Sequence, residues 1–296
     1  MALAVCAAGK DRRTASPAIP DSRREPLADG RVPNVSSVTR QPSLACVIIT
    51  KNEEANIQDC LASVDWTTER IVVDAESTDR TAELARAAGA KVFVRPWPGF
   101  GAQKNYGMEQ VSSEWILIVD ADERVLEPLK AEIWSRIERW KEDEPVAYEI
   151  PRKNVFYGAW VRHAGVYPDY QIRLFRKGIA RYNDVPVHEN LMVKGLIGKL
   201  SNPFEHFTER CIRDHFRKFG LYTTLAAQEK GKTVHAVHAR DLLFRPLVVF
   251  VKSYMLKQGF RDGVRGLIVC VFASMYTFVK YAKLWDLTRQ SAQDLN

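Results

Sequence analysis

Carboxylate side chains follow two apolar runs that have the composition of buried strands. Asp120 and Asp122 come after residues 115–119, and Asp74 comes directly after residues 71–73. Two carboxylates at this spacing can hold one hard divalent cation and leave positions open for diphosphate oxygens. The carboxylate of Asp74 can accept a hydrogen bond from a nucleobase N–H or a ribose hydroxyl. Because acidic residues also cap helices, these interpretations depend on the position of the carboxylates at strand ends.

Strand-like and helix-like segments alternate from residue 44 to residue 139. Short apolar runs predict strands, and the amphipathic segments between them predict helices. The predicted strands are 44–50, 71–74, 91–95 and 115–119, and the predicted helices are 53–64, 78–88, 101–111 and 127–139. This alternation indicates an α/β fold with an open, mostly parallel sheet and helices on both faces. Since ligands bind at the carboxyl ends of the strands in such sheets, Thr50 and Asn52 are expected to join the carboxylates at one edge.

Motifs that the sequence lacks narrow the class of protein. No Gly-x-Gly-x-x-Gly follows the first strand, and no Gly-x-x-x-x-Gly-Lys-Ser/Thr occurs, which argues against dinucleotide-binding and P-loop folds. The five cysteines are scattered, which argues against a disulfide framework or a zinc site. Residues 44–150 carry a net charge of −9 and residues 151–296 a net charge of +13. The acidic half suits a bound cation and the basic half a phosphorylated partner or an anionic membrane surface, whereas no nucleic-acid-binding motif is present.

Four motifs occur in an order and at a spacing that resemble a known family. They are the segments 47–54 (Val-Ile-Ile-Thr-Lys-Asn-Glu-Glu), 72–79, 104–107 and 119–122 (Val-Asp-Ala-Asp). Together they resemble family 2 glycosyltransferases of the GT-A fold, which is a Rossmann-like α/β fold. The later segments 167–176 and 187–189 are similar to the bacterial lipopolysaccharide-core β-1,4-glucosyltransferase branch, and the resemblance covers residues 44–285. One departure is Ala75-Glu76, where many members have a tighter Gly-Ser turn.

The resemblance implies a metal-dependent transfer from a nucleotide sugar with inversion at the anomeric carbon. The residues that it assigns to the nucleotide-sugar pocket are Thr50, Asn52, Glu53, Asp74, Lys104 and Asp120. It implies that Asp122, with Asp120 close by, coordinates Mg²⁺ or Mn²⁺, which would neutralise the departing nucleoside diphosphate.

The attacking acceptor hydroxyl needs a general base within hydrogen-bond reach. Glu189 is preferred because it follows Val-His in the acceptor half, and Asp169 is the second candidate, although it could instead position the acceptor or an arginine. A surface salt bridge is the alternative for each carboxylate. The residues expected to contact the acceptor or a phosphate are Arg173, His188 and Gln171.

The sequence also predicts a division into segments. Residues 1–43 are rich in Pro, Ser, Arg and Asp and lack an apolar period, which predicts a disordered leader. Residues 44–203 are expected to form the catalytic domain, with a nucleotide-sugar half at 44–150 and an acceptor half at 151–203. Residues 204–296 are expected to form a helical C-terminal region that is both basic and apolar.

Two apolar stretches in this C-terminal region bear on membrane association. The stretches 242–256 and 267–279 are shorter than the roughly 20 residues that cross a bilayer, which argues against a transmembrane helix. Basic residues flank both stretches, which favours contact with an anionic membrane surface, and burial in the core is the alternative.

The resemblance implies a hexosyltransferase that takes glucose from UDP-glucose. The expected acceptor is a lipid-linked saccharide such as the lipopolysaccharide inner core. The expected location is the cytoplasm, peripheral on the inner face of the cytoplasmic membrane. Two alternatives stay open: a polyprenyl-phosphate glycosyltransferase, and a catalytically silent, membrane-associated binding protein of the same fold. Nucleic acid is not an expected partner.

Overall fold

The computed structural model of the chain describes residues 41–183, 190–234 and 236–293. All but the last three residues of the predicted leader lie outside this part of the chain, as do Glu189 and His188. Residues 42–296 cluster as one compact unit.

The nucleotide half contains four parallel strands in the order β3-β2-β1-β4. Its strands are β1 (Leu44–Thr50), β2 (Glu69–Asp74), β3 (Lys91–Val94) and β4 (Trp115–Asp120), and its helices are α1 (Ile57–Ser63), α2 (Thr81–Ala87), α3 (Phe100–Glu109) and α4 (Glu127–Glu138). Alternate residues of β1 enter different cores, with Ile48 packed on the side of α1 and α4, and Val47 on the side of α3. The prediction of an α/β sheet with helices on both faces is confirmed.

Helices α1 and α2 begin later than the sequence pattern predicts. The hydrogen bonds of the turn before α1 give the reason for that helix. Residues 52–54 point their backbone N–H groups at side chains of the segment 77–81. Glu53, for example, donates its N–H to the Thr81 hydroxyl at 2.8 Å. These cross-loop bonds satisfy N–H groups that a helix starting at residue 53 would leave without partners, and α1 begins at Ile57.

Beyond β4 the sheet continues in the order β4-β8-β6-β12-β5, with strands from residues 123–209. The strands added to this sheet are β5 (Glu123–Arg124), β6 (Ala147–Phe156), β7 (Ala159–Trp160), β8 (Asp169–Arg176), β11 (Ile197–Lys199) and β12 (Phe204–Glu209). Strands β9 (Ala180–Tyr182) and β10 (Leu191–Val193) pair with each other in a separate two-stranded sheet. Strand β8 runs antiparallel to β4, which brings the start of β8 to the edge where β4 ends. The expectation of helix from residue 204 was wrong for its first six residues, because β12 pairs with β6 and β5.

The C-terminal region contains three helices: α5 (Ile212–Gly231), α6 (Ala239–Val251) and α7 (Gly263–Gln293). A π-helical turn (Lys252–Leu256) and a 3-10 turn (Gly259–Asp262) connect α6 to α7. The prediction that both apolar stretches are too short for a membrane span was wrong for 267–279, because the helix that contains this stretch extends beyond it at both ends. Arg265 and Lys280 flank this stretch but do not end the helix, and the segment Gly259–Arg289 is long and apolar enough to cross a membrane by length and composition alone.

Candidate active site

Three strand ends of the parallel sheet meet at one edge, as the sequence predicts. In the register of the strands, Thr50 lies opposite Asp74 and Ile49 lies opposite Asp120. The polar residues at the carboxyl ends of β1, β2 and β4 therefore lie side by side. This edge carries the predicted nucleotide and metal residues that the structure describes.

Asp74 is almost fully buried and organises the turn that follows β2. Its carboxylate accepts hydrogen bonds from the Thr50 hydroxyl at 2.9 Å, the Ser77 backbone N–H at 2.9 Å and the Ser77 hydroxyl at 2.6 Å. The turn requires a left-handed residue, and Glu76 fills that position with φ 53°. The chain thus keeps this turn although Ala75-Glu76 replaces the Gly-Ser of many family members, and Glu76 adopts a left-handed conformation that is strained for a non-glycine residue. A direct contact between Asp74 and a nucleobase stays a prediction.

Asn52 joins the loop after β1 to the loop after β2. It has φ 55°, its N–H donates to the Ser77 hydroxyl at 2.8 Å, and its side-chain oxygen accepts from the Thr78 N–H at 2.8 Å. Glu53, the next residue, accepts a hydrogen bond from the Asn56 side chain at 2.6 Å. The two loops are therefore held together before any ligand binds, which gives the predicted nucleoside pocket a fixed wall.

Asp120 lies in a buried network of opposite charges. Its carboxylate is 3.6 Å from Lys104 Nζ and 2.5 Å from a guanidinium nitrogen of Arg173. Burial acts to raise the pKa of Asp120, but the charges of Arg173 and Lys104 hold it well below its usual range. Asp120 is thus ionised and compensated by two cations.

Glu123 is the fully buried centre of this network. It accepts the Asp120 N–H at 2.9 Å, contacts Arg173 at 3.1 Å and lies 3.8 Å from Arg152. Burial raises the pKa of its carboxyl group, and Arg173 opposes the shift. The sequence gives no local signal for this role of Glu123, because its two arginine partners lie on distant strands. Arg173 is committed to two carboxylates here, and a phosphate contact by this residue stays a prediction.

Asp169 forms a tight ion pair with Arg152. Both Nε and a terminal nitrogen of Arg152 donate to the carboxylate, and the Gln171 amide donates to it at 3.0 Å. Since Arg152 also approaches Glu123, Asp169 is linked to the network beneath Asp120. The structure therefore brings Asp169, Gln171 and Arg173 to the predicted edge, and Asp169 positions an arginine there.

His206 faces Asp122 and was missed by the sequence analysis. Its Nε2 lies 3.5 Å from Asp122 Oδ2, and the Phe207 N–H on β12 donates to the Asp122 carbonyl oxygen at 2.9 Å. Burial acts to raise the pKa of Asp122, but the positive charge of a protonated His206 ring lowers it to about 2. Asp122 is therefore a carboxylate at physiological pH.

The opposite nitrogen of His206 has a partner that fixes the ring. Nδ1 lies 2.6 Å from Asn154 Oδ1, and Asn154 is oriented because its NH₂ group donates to the Val166 carbonyl at 2.7 Å. An amide oxygen only accepts, so Nδ1 carries a ring proton, and release of the proton on Nε2 leaves a lone pair that faces the carboxylate. Two electron-pair donors converge on one point, as in the ligand sets that hold divalent cations. Within the described ranges, no group of three or more His, Cys, Asp or Glu side chains could hold a metal ion.

Comparisons with known proteins agree with this architecture. The model of the family described as "Glycosyl transferase family 2" matches residues 45–191, which span β1 to the first residue of β10. The strand-end carboxylates and the matched fold define a GT-A-type glycosyltransferase, and the chain belongs to glycosyl transferase family 2.

Two curated relatives match most of the chain. The lipopolysaccharide core biosynthesis glycosyltransferase LpsC of Rhizobium meliloti is 29% identical over 250 residues, covering 82% of this chain and 92% of LpsC. An uncharacterized glycosyltransferase of Rickettsia typhi is 29% identical over 258 residues, covering 84% of this chain and 88% of its own length. A crystal structure of glucosyl-3-phosphoglycerate synthase from Mycobacterium tuberculosis with Mn²⁺, UDP and glucosyl-3-phosphoglycerate is 25% identical over 40% of this chain and 45% of that chain, with a TM-score of 0.31.

Proposed function

We propose that the chain is an inverting hexosyltransferase that moves glucose from UDP-glucose to a lipid-linked saccharide such as the lipopolysaccharide inner core. Membership of glycosyl transferase family 2 and the similarity to LpsC support the reaction class and the acceptor class. The observation that carries the proposal is the convergence of Asp122 and His206 Nε2 at the carboxyl end of β4.

The donor set at this point suits Mg²⁺ or Mn²⁺. Asp122 and His206 would hold the ion as its two protein ligands, and diphosphate oxygens of the donor would complete the coordination shell. The bound cation would neutralise the charge that develops on the departing nucleoside diphosphate. The described part of the chain offers no group of three such ligands, so we infer that tight metal binding requires the nucleotide.

The neighbouring charges prepare this edge for an anionic donor. Arg173 and Lys104 compensate Asp120, and Arg152 compensates Asp169, so these carboxylates repel an approaching diphosphate less than isolated ones would. Lys104 would stabilise negative charge on the diphosphate. The base that takes the proton of the acceptor hydroxyl is proposed to be Glu189. Asp169 is the second candidate and ranks lower, because its carboxylate is already paired with Arg152.

The donor is identified by thermal stabilisation of the purified chain with a panel of nucleotide sugars, with and without Mn²⁺. A ligand that binds the native state raises the Tm by mass action. At a concentration of 100 times its Kd, it adds about 2.7 kcal/mol to the free energy of unfolding. We expect UDP-glucose with Mn²⁺ to give the largest rise. A rise with another sugar nucleotide would change the substrate, and no rise with any donor would favour a catalytically silent binding protein. Transfer to a polyprenyl phosphate, but not to a lipid-linked saccharide, would contradict the proposed acceptor.

Asn154 is expected to act as a positioning residue for the metal ligand. Replacing it by Ala removes the acceptor that holds His206 Nδ1–H, so we expect affinity for Mn²⁺ in the presence of UDP to fall about 10- to 100-fold. The measurement is the Mn²⁺ concentration that gives half of the thermal shift. Thr208→Val is the matched control, because the Thr208 hydroxyl is 3.3 Å from the same nitrogen and leaves Asn154 in place. Equal losses in both variants would contradict the role of Asn154.

A further inference from the structure

The connection between α6 and α7 exposes an unusual number of large apolar side chains. We call residues 251–267 the hairpin tip. The exposed apolar residues here, with their exposed fractions, are Val251 (44%), Met255 (56%), Leu256 (75%), Phe260 (48%), Val264 (73%) and Leu267 (39%). An apolar group in contact with water costs free energy in proportion to its area, so such a cluster marks a contact surface.

The apolar surface extends from the hairpin tip along both helices. On α6 it consists of Leu243, Phe244, Leu247 and Val248, and on α7 it consists of Val271, Met275 and Phe278. These positions recur every three or four residues, so each set lies on one side of its helix. The surface is therefore a continuation of the tip along each helix and not a scatter of single residues.

The other sides of the two helices are occupied by packing. Ser274 on α7 donates to the Pro246 carbonyl on α6 at 2.8 Å, and Phe272 on α7 stacks on His215 of α5. Tyr276 donates to the Tyr222 carbonyl on α5 at 3.2 Å. Helices α5 and α6 therefore cover part of α7, and its exposed apolar residues lie on the side that they leave uncovered.

Basic side chains surround the apolar residues of the hairpin tip. Lys252, Lys257, Arg261 and Arg265 are all exposed, and the one acidic residue of the tip is Asp262. The Asp262 carboxylate accepts the His163 N–H at 2.7 Å and contacts His163 Nδ1 at 3.0 Å, so it belongs to the packing against the loop 161–168. The surface therefore presents apolar groups together with uncompensated positive charge.

We propose that the hairpin tip docks on a lipid bilayer that contains anionic headgroups. Apolar side chains at the tip would enter the boundary between headgroups and acyl chains, while the lysines and arginines would contact the headgroups. Each basic residue near an anionic bilayer adds to the electrostatic attraction, which salt screens. A second copy of this chain would bring the same positive charges together, which disfavours a homodimer at this surface.

Docking of the tip fits the described structure better than a membrane-spanning α7. Only 33% of the most apolar window of the segment Gly259–Arg289 is buried. The polar contacts of α7 with α5 nevertheless extend to Lys283, whose Nζ donates to the Gly220 carbonyl at 2.7 Å. Insertion of α7 across a bilayer would break these contacts. Docking at the interface keeps them and leaves the basic residues in contact with headgroups.

The hairpin tip also contacts the part of the molecule next to the proposed metal ligands. The Ala164 N–H donates to the Lys257 carbonyl at 2.9 Å, and Asn154, which orients His206, bonds the Val166 carbonyl. Docking of the tip would therefore hold the acceptor side of the sheet close to the bilayer, where a lipid-linked saccharide lies. This consequence rests on the proposed function, whereas the docking itself does not.

Vesicle flotation with the full chain tests the proposal. We expect the chain to float with phosphatidylcholine vesicles that contain phosphatidylglycerol at least about 10-fold more than with phosphatidylcholine alone, and 0.5 M NaCl to reduce the difference because salt screens exposed charges. Release by high salt or alkaline carbonate is expected, and release by detergent only would contradict interfacial docking.

The variant that tests the surface is Leu256→Glu with Phe260→Glu. Both side chains are exposed, so we expect the fold to persist by circular dichroism and flotation to fall about 10-fold or more. The matched control is Met192→Glu with Leu196→Glu, whose side chains are 58% and 63% exposed and lie outside the helices. This control is expected to float like the unaltered chain.

Several outcomes would overturn the proposal. No flotation of the unaltered chain with either vesicle is one, and equal flotation of the tip variant and its control is another. Light scattering that shows a dimer, converted to a monomer by the tip variant, would assign the surface to a second copy. The thermal shift with UDP-glucose and Mn²⁺ is measured on the same variants. Flotation without any donor-dependent shift would contradict the proposed function and leave the docking surface intact.

Discussion

Replacing Asp122 by Asn is expected to lower the rate of sugar transfer by about 1,000-fold and to abolish the Mn²⁺-dependent part of the thermal shift with UDP-glucose. An amide has nearly the same shape as the carboxylate but lacks its charge, and it binds a hard cation poorly. The leaving diphosphate would then depart without the charge stabilisation that supplies catalytic factors of this size. Steady-state transfer assays and thermal melts measure the two effects separately.

His206→Gln provides the second corner of a double-mutant cycle with Asp122→Asn. If both side chains hold one ion, the double variant should be little worse than either single variant, because the ion is lost once. Asp65→Asn changes an exposed carboxylate and is the control for a general charge effect. Additive losses in the cycle, or full activity of Asp122→Asn, would contradict a shared metal site.

Replacing Arg173 by Met is expected to lower the free energy of unfolding by about 3–5 kcal/mol. Arg173 is 4% exposed and neutralises both Asp120 and Glu123, so its loss leaves a fully buried carboxylate with weakened compensation. Urea denaturation measures the change. Arg176→Met, on the same strand, is the matched control, because Arg176 stacks on the Trp140 ring and forms no ion pair among the described residues. We expect the control to lose less than about 1 kcal/mol.

The loss in Arg173→Met is expected to grow with pH. The pKa of Glu123 is already raised by burial, and removing Arg173 raises it further. A carboxyl group whose folded-state pKa is raised favours the folded state at low pH, and this contribution disappears as the pH rises through that pKa. The variant should therefore lose more stability at pH 8 than at pH 5. A pH-independent difference would mean that Glu123 does not take up the proton.

Most of the nucleotide half was predictable because three of its strands, β1, β2 and β4, are largely buried on both faces. A continuous apolar run such as 44–50 is typical of a strand that is buried on both faces. Asp120 and Asp122 follow the run 115–119 directly, which places them at the carboxyl end of a predicted strand. Partners that come from distant strands left no local signal. The pair of Arg152 and Asp169, on adjacent antiparallel strands, is set by strand register and not by spacing along the chain.

His206 was missed for a different physical reason. The segment 204–209 mixes polar and apolar residues and precedes a long helical region, so its pattern does not separate it from the helix that follows. A weak signal exists, since His206 and Thr208 alternate with Phe207, as they would on a strand. Burial of His206 and Thr208 depends on pairing with β6, which only the tertiary structure reveals.

Strand β12 has a consequence for the order in which the molecule is assembled. The family match ends at residue 191, but His206 lies on β12, beyond that limit. The four parallel strands and Asp122 can form while the ribosome is still making the rest of the chain, since each pairs with segments already synthesised. We expect a nascent chain stopped before residue 204 to have the parallel strands without His206, the proposed second metal ligand. The proposed metal site would then be completed in a single late step, when β12 inserts between β6 and β5, which have already been synthesised.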